Sequence, residues 1–252
     1  MTVLVTGGTG TLGRHVVSGL REAGIQPRVL TRREGKAADH VTGDLATGAG
    51  LTAAVSGADT VIHCATHVRY RRVDIAGTER LLAVAREHGV GHFVYISIVG
   101  IDDNPFSYYR TKLRAEELIA ASGVPYTILR ATQFHELILS VVAGLAKPPL
   151  APVPKGFKSQ PIDTEAVAAR LVTLAAGEPV GRARDIGGPR VDTLADLLQV
   201  YCATRSKSRM LLPIGVPGKT GRAFRAGANL LGPDGETLGG TFDEFLARRS
   251  AG

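Results

Sequence analysis

The sequence predicts an α/β fold built on a doubly wound parallel sheet, with a small C-terminal lobe that would bind substrate. Short β-branched or apolar segments alternate with amphipathic helical segments through the first half of the 252 residues. Strands separated by single helices form βαβ units with right-handed crossovers. Thr60–Cys64 is almost continuously apolar, which is typical of a strand buried on both faces of a parallel sheet.

The elements of the first half follow from hydrophobic spacing and from the glycines that end helices. The predicted strands are Val3–Thr6, Gln26–Thr31, Val41–Gly43, Thr60–Cys64, His92–Ser97 and Tyr126–Arg130. The predicted helices are Leu12–Ala23, Leu51–Val55, Thr78–His88 and Tyr108–Ser122, each followed closely by a glycine.

The second half is less regular. Its predicted helices are Phe134–Ala146, Asp163–Ala176, Thr193–Tyr201 and Thr241–Arg249, with a further strand at Ala183–Ile186. Lys147–Gly156 contains four prolines and is predicted to be a loop, and Pro213–Gly221 is predicted to be rich in turns. Phe134–Ala146 could be a mobile lid or a plain core helix.

Composition and charge exclude several classes of protein. The net charge is +7, which suits an anionic cofactor, nucleic acid or a membrane surface, and also an ordinary solvated surface. Residues 201–233 hold six basic residues and no acidic one, but few aromatic residues accompany them. We therefore expect no nucleic-acid partner. No apolar stretch approaches the length of a membrane span, so we expect no membrane partner.

The two cysteines, Cys64 and Cys202, are far apart and lack the spacing of a zinc site or a disulfide framework. No secretory leader is visible, because strand-like sequence begins at residue 2. We expect a cytoplasmic monomer or homodimer that acts on a small molecule.

The strongest local motif is TGGTGTLG, which spaces Gly7, Gly10 and Gly13 as G-x-x-G-x-x-G between a strand and a helix. Glycine permits a tight turn and a close approach of the backbone to a pyrophosphate. Amide groups at the helix start would face the negative charge. The motif predicts a dinucleotide site with ligand-facing residues Gly7, Thr9, Gly10, Thr11, Leu12 and Gly13.

The end of the second strand indicates which dinucleotide is bound. An acidic residue at this point usually holds the ribose 2′-hydroxyl of NAD. Here the strand ends with Thr31, Arg32 and Arg33, and no acid appears before Glu34. A guanidinium group can bind a 2′-phosphate through two hydrogen bonds. The sequence therefore favours NADP(H), although two solvated arginines would give the same pattern.

A candidate catalytic set follows the fifth strand. Ser97 ends that strand, and Tyr108 and Lys112 lie four residues apart on the next helix, so they share one face. An ammonium group lowers the pKa of a nearby phenol and can bind the nicotinamide ribose. The phenol then donates a proton to a carbonyl that the serine orients. Tyr109 competes with Tyr108 for this role, and both tyrosines could instead be packing residues.

Three histidines are further candidates for a metal or substrate site. His63 and His67 flank the end of the fourth strand, but no third ligand is spaced for a metal site. We expect no metal, and His67 is placed in the cofactor and substrate cleft. His135 and Glu136 could face substrate or could be the solvated end of a helix.

Four segments together resemble the NmrA-like branch of the atypical short-chain dehydrogenase/reductase superfamily, whose nucleotide-binding part is a Rossmann fold. They are TGGTGTLG, VDIAGTERLLAVAREHGVGHFVYISIVG, YYRTKLRAEELIAASGVPYTILRATQF and QPIDTEAVA, within roughly the first 190 residues. The resemblance implies a Rossmann domain at residues 1–132, to which residues 158–190 return. Residues 133–157 and 191–252 would form the lobe.

The resemblance also implies roles for individual residues. Asp44 and Leu45 would lie at the adenine, and Ala65 and Thr66 would line the coenzyme. Arg130, Ala131, Thr132 and Phe134 would border the nicotinamide and substrate. The chain departs from the enzymatic pattern in its short interval between Ser97 and Tyr108, and in lacking an asparagine in VDIAGTERLL.

These expectations combine into an NADPH-dependent oxidoreductase that transfers hydride to a small carbonyl, quinone or enone. A non-catalytic NADP(H)-binding redox sensor is the alternative. An epimerase-like or dehydratase-like enzyme that keeps its coenzyme bound is a third reading.

Overall fold

The computed structural model describes residues 1–32, 37–66 and 74–250. The predicted site residues Arg33 and His67 lie outside these ranges. The chain divides into two compact units. Unit 1 comprises Met1–Ser97, Ser107–Arg130 and Val167–Ala183, and unit 2 comprises Ile98–Phe106, Ala131–Ala166 and Arg184–Gly252.

The strands of the described residues, in chain order, are β1 (Thr2–Thr6), β2 (Gln26–Thr31), β3 (His40–Thr42), β4 (Thr60–His63), β5 (His92–Ile98), β6 (Tyr126–Ala131), β7 (Leu150–Pro154), β8 (Lys158–Ser159), β9 (Gly181–Arg182), β10 (Ile186–Gly187), β11 (Asp192–Thr193), β12 (Met210–Ile214) and β13 (Glu236–Thr237). The helices are α1 (Thr11–Glu22), α2 (Leu51–Val55), α3 (Ala76–Glu87), α4 (Ser107–Ala121), α5 (His135–Leu145), α6 (Thr164–Ala176), α7 (Leu194–Thr204), α8 (Gly218–Ala226) and α9 (Phe242–Ser250).

Unit 1 contains a parallel sheet with strand order β6-β5-β4-β1-β2-β3, in which β9 also pairs with β6. The chain moves outward from β1 to β2 and β3, then returns to the other side of β1 to form β4. Strand order therefore reverses at β1. In open α/β sheets, ligands bind at the carboxyl ends of the strands at such a switch point.

The core of unit 1 lies between this sheet and helices α2, α3 and α4. Leu4, Val61, Leu81, Phe93 and Ile119 are fully buried within one apolar cluster. Every residue of β4 is buried, as expected for a strand covered on both faces. The sheet is thereby held rigidly enough to present side chains at its carboxyl edge.

Unit 2 packs helices α5, α7 and α9 around a second apolar core. Val142, Val153, Leu197, Phe242 and Leu246 are among its most buried members. The strands β7 and β12 pair in parallel along one side of this core, and β8 pairs with β11 in antiparallel fashion. The strand β10 pairs in parallel with β13 and, through Ile186, with Ala131.

The structure corrects two sequence predictions in unit 2. Lys147–Gly156, predicted to be a loop, contains β7, and Pro213–Gly221, predicted to be turns, overlaps the end of β12 and the first four residues of α8. Proline cannot donate a ladder hydrogen bond, but each strand of a two-stranded sheet has one unpaired edge where no donor is needed. The prolines of β7 are therefore compatible with its pairing to β12.

The prediction of an α/β fold with a mostly parallel sheet is confirmed. The predicted domain boundaries remain predictions. Within the described ranges, no helix is both long and apolar enough to cross a membrane.

Candidate coenzyme and active site

The glycine turn between β1 and α1 is held by close backbone contacts. Gly7 has a φ of +70°, which L side chains rarely adopt, and a Cβ there would lie 2.8 Å from the Cα of Ala65. A Cβ on Gly13 would lie 2.1 Å from the carbonyl oxygen of Gly7. The Gly10 amide donates to that same oxygen over 2.9 Å. The turn therefore requires glycine, and it lies directly beside the end of β4.

The start of α1 fits a bound anion. Among the described residues, no side chain caps this helix at Gly10, and its first turn contains no acidic residue. Thr9, Gly10 and Thr11 are exposed, whereas Leu12 and Gly13 are buried. Uncapped amides at the positive end of a helix dipole stabilise a phosphate group. These residues therefore suit the diphosphate of a dinucleotide coenzyme.

The remaining predicted coenzyme residues of unit 1 have different environments. Arg32 is exposed immediately after β2. Asp44 is half-buried and accepts a hydrogen bond from the Ala46 amide over 2.8 Å. Leu45 is buried in the core of unit 1. Ala65 is half-buried against the same core, and its backbone lies against Gly7.

Lys112 is buried at the carboxyl edge of the sheet. Its ammonium group donates to the Ile96 carbonyl over 2.9 Å and lies 4.2 Å from the centre of the Tyr95 ring. The Asp74 carboxylate is 4.0 Å away. Burial lowers the pKa of Lys112, while the negative charge of Asp74 acts in the opposite direction. Lys112 is thus a desolvated cation with its charge partly balanced.

Tyr108, one turn before Lys112, belongs to a chain of hydrogen bonds. The Thr66 hydroxyl donates to Asp74 Oδ1 over 2.9 Å, and it lies 3.1 Å from the Tyr108 hydroxyl. Because Thr66 has one proton, which it gives to the carboxylate, the Tyr108 phenol must donate to Thr66. Burial raises the pKa of Tyr108, and Asp74 raises it further, while the bond to Thr66 lowers it. The phenol is therefore held in its protonated form.

Ser97 and Tyr95 lie two residues apart on β5 and share one face of that strand. Both are buried, and neither hydroxyl hydrogen-bonds to any described residue. A buried hydroxyl without a partner is costly in a folded protein. The Ser97 hydroxyl therefore has hydrogen-bonding capacity that no described residue uses.

His63 ends β4 and has a structural environment. Thr78 donates its hydroxyl proton to the Asp74 carbonyl, so its oxygen accepts from His63 Nε2 over 2.9 Å. His63 Nδ1 then accepts from Thr6 over 2.6 Å. Burial lowers the pKa of His63 to about 3, with a further lowering by Lys112. Among described residues, no group of three potential ligands could hold a metal ion.

Arg130 was expected to border the nicotinamide, but its guanidinium is engaged elsewhere. It is buried in unit 1 and binds both carboxylate oxygens of Glu116, at 2.8 and 2.6 Å. Glu116 lies one turn after Lys112 on α4. The ion pair therefore joins the helix that carries Tyr108 and Lys112 to β6.

The predicted site residues of unit 2 begin with Ala131, the last residue of β6. Ala131 and Thr132 are buried, and the Thr132 hydroxyl donates to the Gln160 carbonyl over 2.6 Å. Phe134 is half-buried at the start of α5 and forms a β-bridge with Ile162. These three residues hold the segment that links β6 to α5.

His135 is fully buried in unit 2 and contacts the rings of Phe242 and Phe245 at centroid distances of 5.9 and 4.9 Å. Neither ring nitrogen makes a hydrogen bond of ordinary geometry within the described chain. Burial lowers its pKa. Asp163, the Pro161 carbonyl and Glu136 act to raise that pKa, and Arg248 acts to lower it.

Sequence reasoning missed Asp74 and Tyr95. Asp74 lies in VDIAGTERLL. The missing asparagine of this segment was noted, but no role was predicted for its aspartate. Tyr95 lies in the predicted strand His92–Ser97, all of whose residues are buried, and no role was predicted for it. Neither residue has a local motif, because their contacts with Lys112 join distant parts of the chain.

Comparison with known proteins now identifies the family. A family model described as NAD(P)H-binding matches residues 7–177. The chain belongs to this NAD(P)H-binding family. A reductase of (4-alkanoyl-5-oxo-2,5-dihydrofuran-3-yl)methyl phosphate from Streptomyces griseus is 30% identical over 203 residues, which cover 76% of this chain and 69% of the relative. The family assignment confirms the expected resemblance to NmrA-like, atypical short-chain dehydrogenases/reductases.

Other curated relatives match over a smaller part of their length. A ceramide reductase of Caulobacter vibrioides is 30% identical over 190 residues, covering 68% of this chain and 60% of the relative. A photosystem II assembly factor of Cyanophora paradoxa is 30% identical over 156 residues, covering 57% of this chain and 49% of the relative. The chain thus spans about half to two thirds of the length of these relatives.

Solved structures support the same fold. The NADPH complex of an Escherichia coli NADPH-dependent quinone oxidoreductase has a TM-score of 0.83 at 18% identity, covering 98% of this chain and 99% of that one. The NADP(H) complex of a Citrobacter triphenylmethane reductase has a TM-score of 0.79 at 17% identity, with the same coverage of both chains. A Thermus thermophilus UDP-glucose 4-epimerase with NAD has a TM-score of 0.71 at 18% identity, covering 99% of this chain and 93% of that one.

Proposed function

We propose that the protein is an NADPH-dependent reductase that converts a small carbonyl, quinone or enone into its reduced product. The observation that carries the proposal is the placement of Lys112 and Tyr108 on one face of α4, at the carboxyl edge of the unit 1 sheet. Lys112 is desolvated there, and the Tyr108 hydroxyl reaches Thr66 at the end of β4. A phenol and an ammonium in this arrangement suit proton donation to a carbonyl oxygen.

In this proposal, different residues of unit 1 bind the coenzyme, donate the proton and orient the substrate. NADPH, when bound, supplies the hydride. The amides at Thr11 and Leu12 would bind the diphosphate, and the Lys112 ammonium would donate hydrogen bonds to the ribose hydroxyls. Tyr108 gives its proton to the substrate oxygen as the carbon receives hydride, so the substrate gains one hydride and one proton. The free hydroxyl of Ser97 orients that oxygen.

Preference for NADPH over NADH is assigned to Arg32, with Arg33 in support. Arg32 follows β2 at the position where an NAD site has an acid, and it is exposed to a ligand. The Arg32→Ala variant should lose about tenfold or more of its preference for NADPH, because a phosphate contact of this kind contributes ~1.5–3 kcal/mol. Arg14→Ala is the matched control, since Arg14 is also an exposed arginine. An unchanged NADPH/NADH affinity ratio in Arg32→Ala would refute the assignment.

The names of relatives narrow the substrate class. They include reductases of ceramide, of a 2-alkyl-3-oxoalkanoate and of a farnesyl-bearing quinoline oxide, and the last two names combine an alkyl or farnesyl group with an oxo group. We therefore propose a carbonyl compound with an apolar chain as the first substrate to test, followed by quinones. These activities belong to the relatives as whole proteins, of which this chain spans only a part.

The deciding experiment follows NADPH oxidation with a panel of alkyl ketones, enones and quinones. Tyr108→Phe should lower kcat by about 100-fold or more, with NADPH affinity unchanged. Tyr109→Phe is the matched control, because it removes a hydroxyl from the neighbouring buried residue of the same helix. If Tyr109→Phe loses the activity and Tyr108→Phe keeps it, the two roles are exchanged.

A non-catalytic NADP(H)-binding protein is the second candidate. The Tyr108 phenol donates to Thr66, and Asp74 opposes its ionisation, so the resting site holds this proton away from a ligand. Two relatives are named as photosystem II assembly factors rather than as reductases. Tight NADPH binding without oxidation by any member of the panel would favour this candidate. An epimerase-like enzyme would instead convert its substrate with no net oxidation of coenzyme.

A further inference from the structure

The two-stranded sheet of unit 2 has an outward face made entirely of apolar residues. In the parallel register, Leu150 lies opposite Met210, Pro152 opposite Leu212, and Pro154 opposite Ile214. Opposite residues of paired strands point to the same side of a sheet. We call this set of six residues the β7–β12 face.

Burial along β7 shows which side of that strand faces outward. Ala151 and Val153, which alternate with the face residues, are buried in the core of unit 2, whereas on β12 Leu211 is half-buried and Pro213 is exposed. Met210 is 73% exposed, and Leu150, Leu212 and Ile214 are also exposed. A solvated sheet face is normally polar, so a contiguous apolar face indicates a binding surface.

Basic residues flank the two strands of this face along the sequence. The segments 147–158 and 205–225, which contain the two strands, hold nine lysines and arginines and no acidic residue. Seven of the nine are exposed: Lys147, Lys155, Lys158, Arg205, Lys207, Lys219 and Arg222. Lys147 and Lys207 each precede a strand by three residues, whereas Lys155 follows β7 directly. Both ends of the apolar face therefore carry positive charge.

We propose that the β7–β12 face docks on the surface of an anionic lipid bilayer. Apolar side chains enter the boundary between headgroups and acyl chains, and lysines and arginines at the rim attract the anionic headgroups. A second copy of the chain is a poorer occupant, because two such faces would bring their basic rims together. The expectation of no membrane partner rested on the absence of a spanning segment, and a surface of this kind needs none. The inference is independent of the proposed reductase activity.

The test is flotation of the full chain with vesicles of phosphatidylcholine alone and of phosphatidylcholine mixed with phosphatidylglycerol. We expect a partition coefficient at least tenfold higher on the anionic vesicles, since each basic residue near the surface contributes about fivefold. Raising the ionic strength should weaken binding. Equal partition onto both kinds of vesicle, or no binding to either, would overturn the proposal.

Two charge-matched variants separate the face from the rest of the surface. Met210→Glu should lower the partition coefficient about tenfold or more, because it places an acid on the apolar face. Val180→Glu makes the same kind of change at a residue of unit 1 that is 57% exposed, and should have little effect. Equal losses in both variants would contradict docking through the β7–β12 face.

A third variant keeps the test valid if Met210→Glu unfolds. The double variant Lys155→Gln/Lys207→Gln leaves the apolar face intact and should lower binding to anionic vesicles by more than tenfold. Sedimentation velocity without lipid tests the other occupant. A concentration-dependent dimer that Met210→Glu dissociates, with no vesicle binding by the unaltered chain, would replace the bilayer with a second copy.

Discussion

His63 in unit 1 and His135 in unit 2 are both 0% exposed, but only His63 has a hydrogen-bond partner for each ring nitrogen. The partners of His63 are the hydroxyl groups of Thr6 and Thr78, and the Thr78 hydroxyl in turn donates to the Asp74 backbone carbonyl. His135 instead packs against phenylalanine rings in an apolar core. His63 therefore belongs to an ordered hydrogen-bonded network, whereas the ring of His135 packs mainly against aromatic side chains.

The same contrast holds for ion pairs. Arg130 and Glu116 of unit 1 are 3% and 8% exposed, whereas Arg190 and Asp243 of unit 2 are 41% and 43% exposed. Both pairs have two hydrogen bonds between guanidinium and carboxylate. Unit 1 thus buries its polar contacts beside the candidate active site, and unit 2 keeps its bidentate pair near water.

The ion pairs provide the largest expected effect. Arg130→Met should lower the free energy of unfolding by ~3–5 kcal/mol, because it leaves Glu116 buried without a counter-charge. Arg190→Met should cost less than ~1 kcal/mol, because water screens an exposed pair. Urea denaturation of both variants measures the difference. Equal losses would show that burial does not distinguish the two pairs.

A second variant checks the cause. In Arg130→Met/Glu116→Gln the buried charge is removed together with its partner, so part of the lost stability should return. If the double variant is no more stable than Arg130→Met, the loss of stability comes from lost packing of the Arg130 side chain and not from the unpaired Glu116 carboxylate.

The next effect concerns glycines within helices. Gly13→Ala should weaken NADPH binding by about 100-fold, because the new methyl group would collide with the Gly7 carbonyl and displace the start of α1. Gly144→Ala makes the same change in α5 of unit 2, where an added Cβ meets no described atom within 4 Å. It should leave binding unchanged and raise stability by ~0.5–1 kcal/mol. Calorimetric titration with NADPH and thermal melts test both expectations, and a loss of binding in Gly144→Ala would contradict them.

The histidines give a pH-dependent effect. Both have a folded-state pKa below the usual value of 6.5, and that of His63 is about 3. The unfolded chain therefore binds more protons as the pH falls below 6.5, so stability is full above that pH and is lost on acidification. Between pH 7 and pH 5 His63 should account for a loss of up to ~2 kcal/mol, and His135 should contribute a loss in the same direction.

Leucine variants separate the two environments. His135→Leu should be nearly neutral at pH 7, since its ring nitrogens lack partners, and it should reduce the acid sensitivity. His63→Leu should lose ~1–3 kcal/mol at pH 7, because it deprives the buried Thr6 hydroxyl of its acceptor. Unfolding measured at both pH values gives the comparison. Full enzymatic activity in His135→Leu would also remove His135 from the predicted substrate residues.

Local sequence signals predicted much of unit 1 and less of unit 2. The observed bounds of β2 and α2 are those expected, and the glycine turn joins β1 to α1 as its spacing indicates. The strand β7 was missed because prolines obscure its alternation and its partner β12 lies about sixty residues away. The contact of Thr66 with Asp74 was equally hidden, since hydroxyl and carboxylate residues carry no spacing rule of their own. Contacts between distant segments could not be predicted from the sequence alone.

The smallest expected effect tests whether the polar network of unit 1 sets the ionisation of Tyr108. Asp74 lies at the end of the hydrogen-bonded chain from Tyr108 through Thr66, and its charge raises the phenol pKa. Asp74→Asn keeps an oxygen that can accept from Thr66 but removes the negative charge. The pKa of Tyr108 should therefore fall, because the negative charge that opposes its ionisation is gone.

Tyrosinate absorbance during an alkaline titration measures this shift, after subtraction of the same titration in a Tyr108→Phe background. Glu117→Gln is the control, because it removes one negative charge from an exposed position on α4, where Glu117 pairs with Arg114. Only Asp74→Asn should move the Tyr108 ionisation to lower pH. In the reductase, which needs a protonated phenol, the alkaline loss of activity should move in the same direction. If both variants have the same Tyr108 ionisation, solvent and not Asp74 sets the pKa of the phenol. The buried polar network of unit 1 would then only stabilise the fold, as the apolar core of unit 2 does.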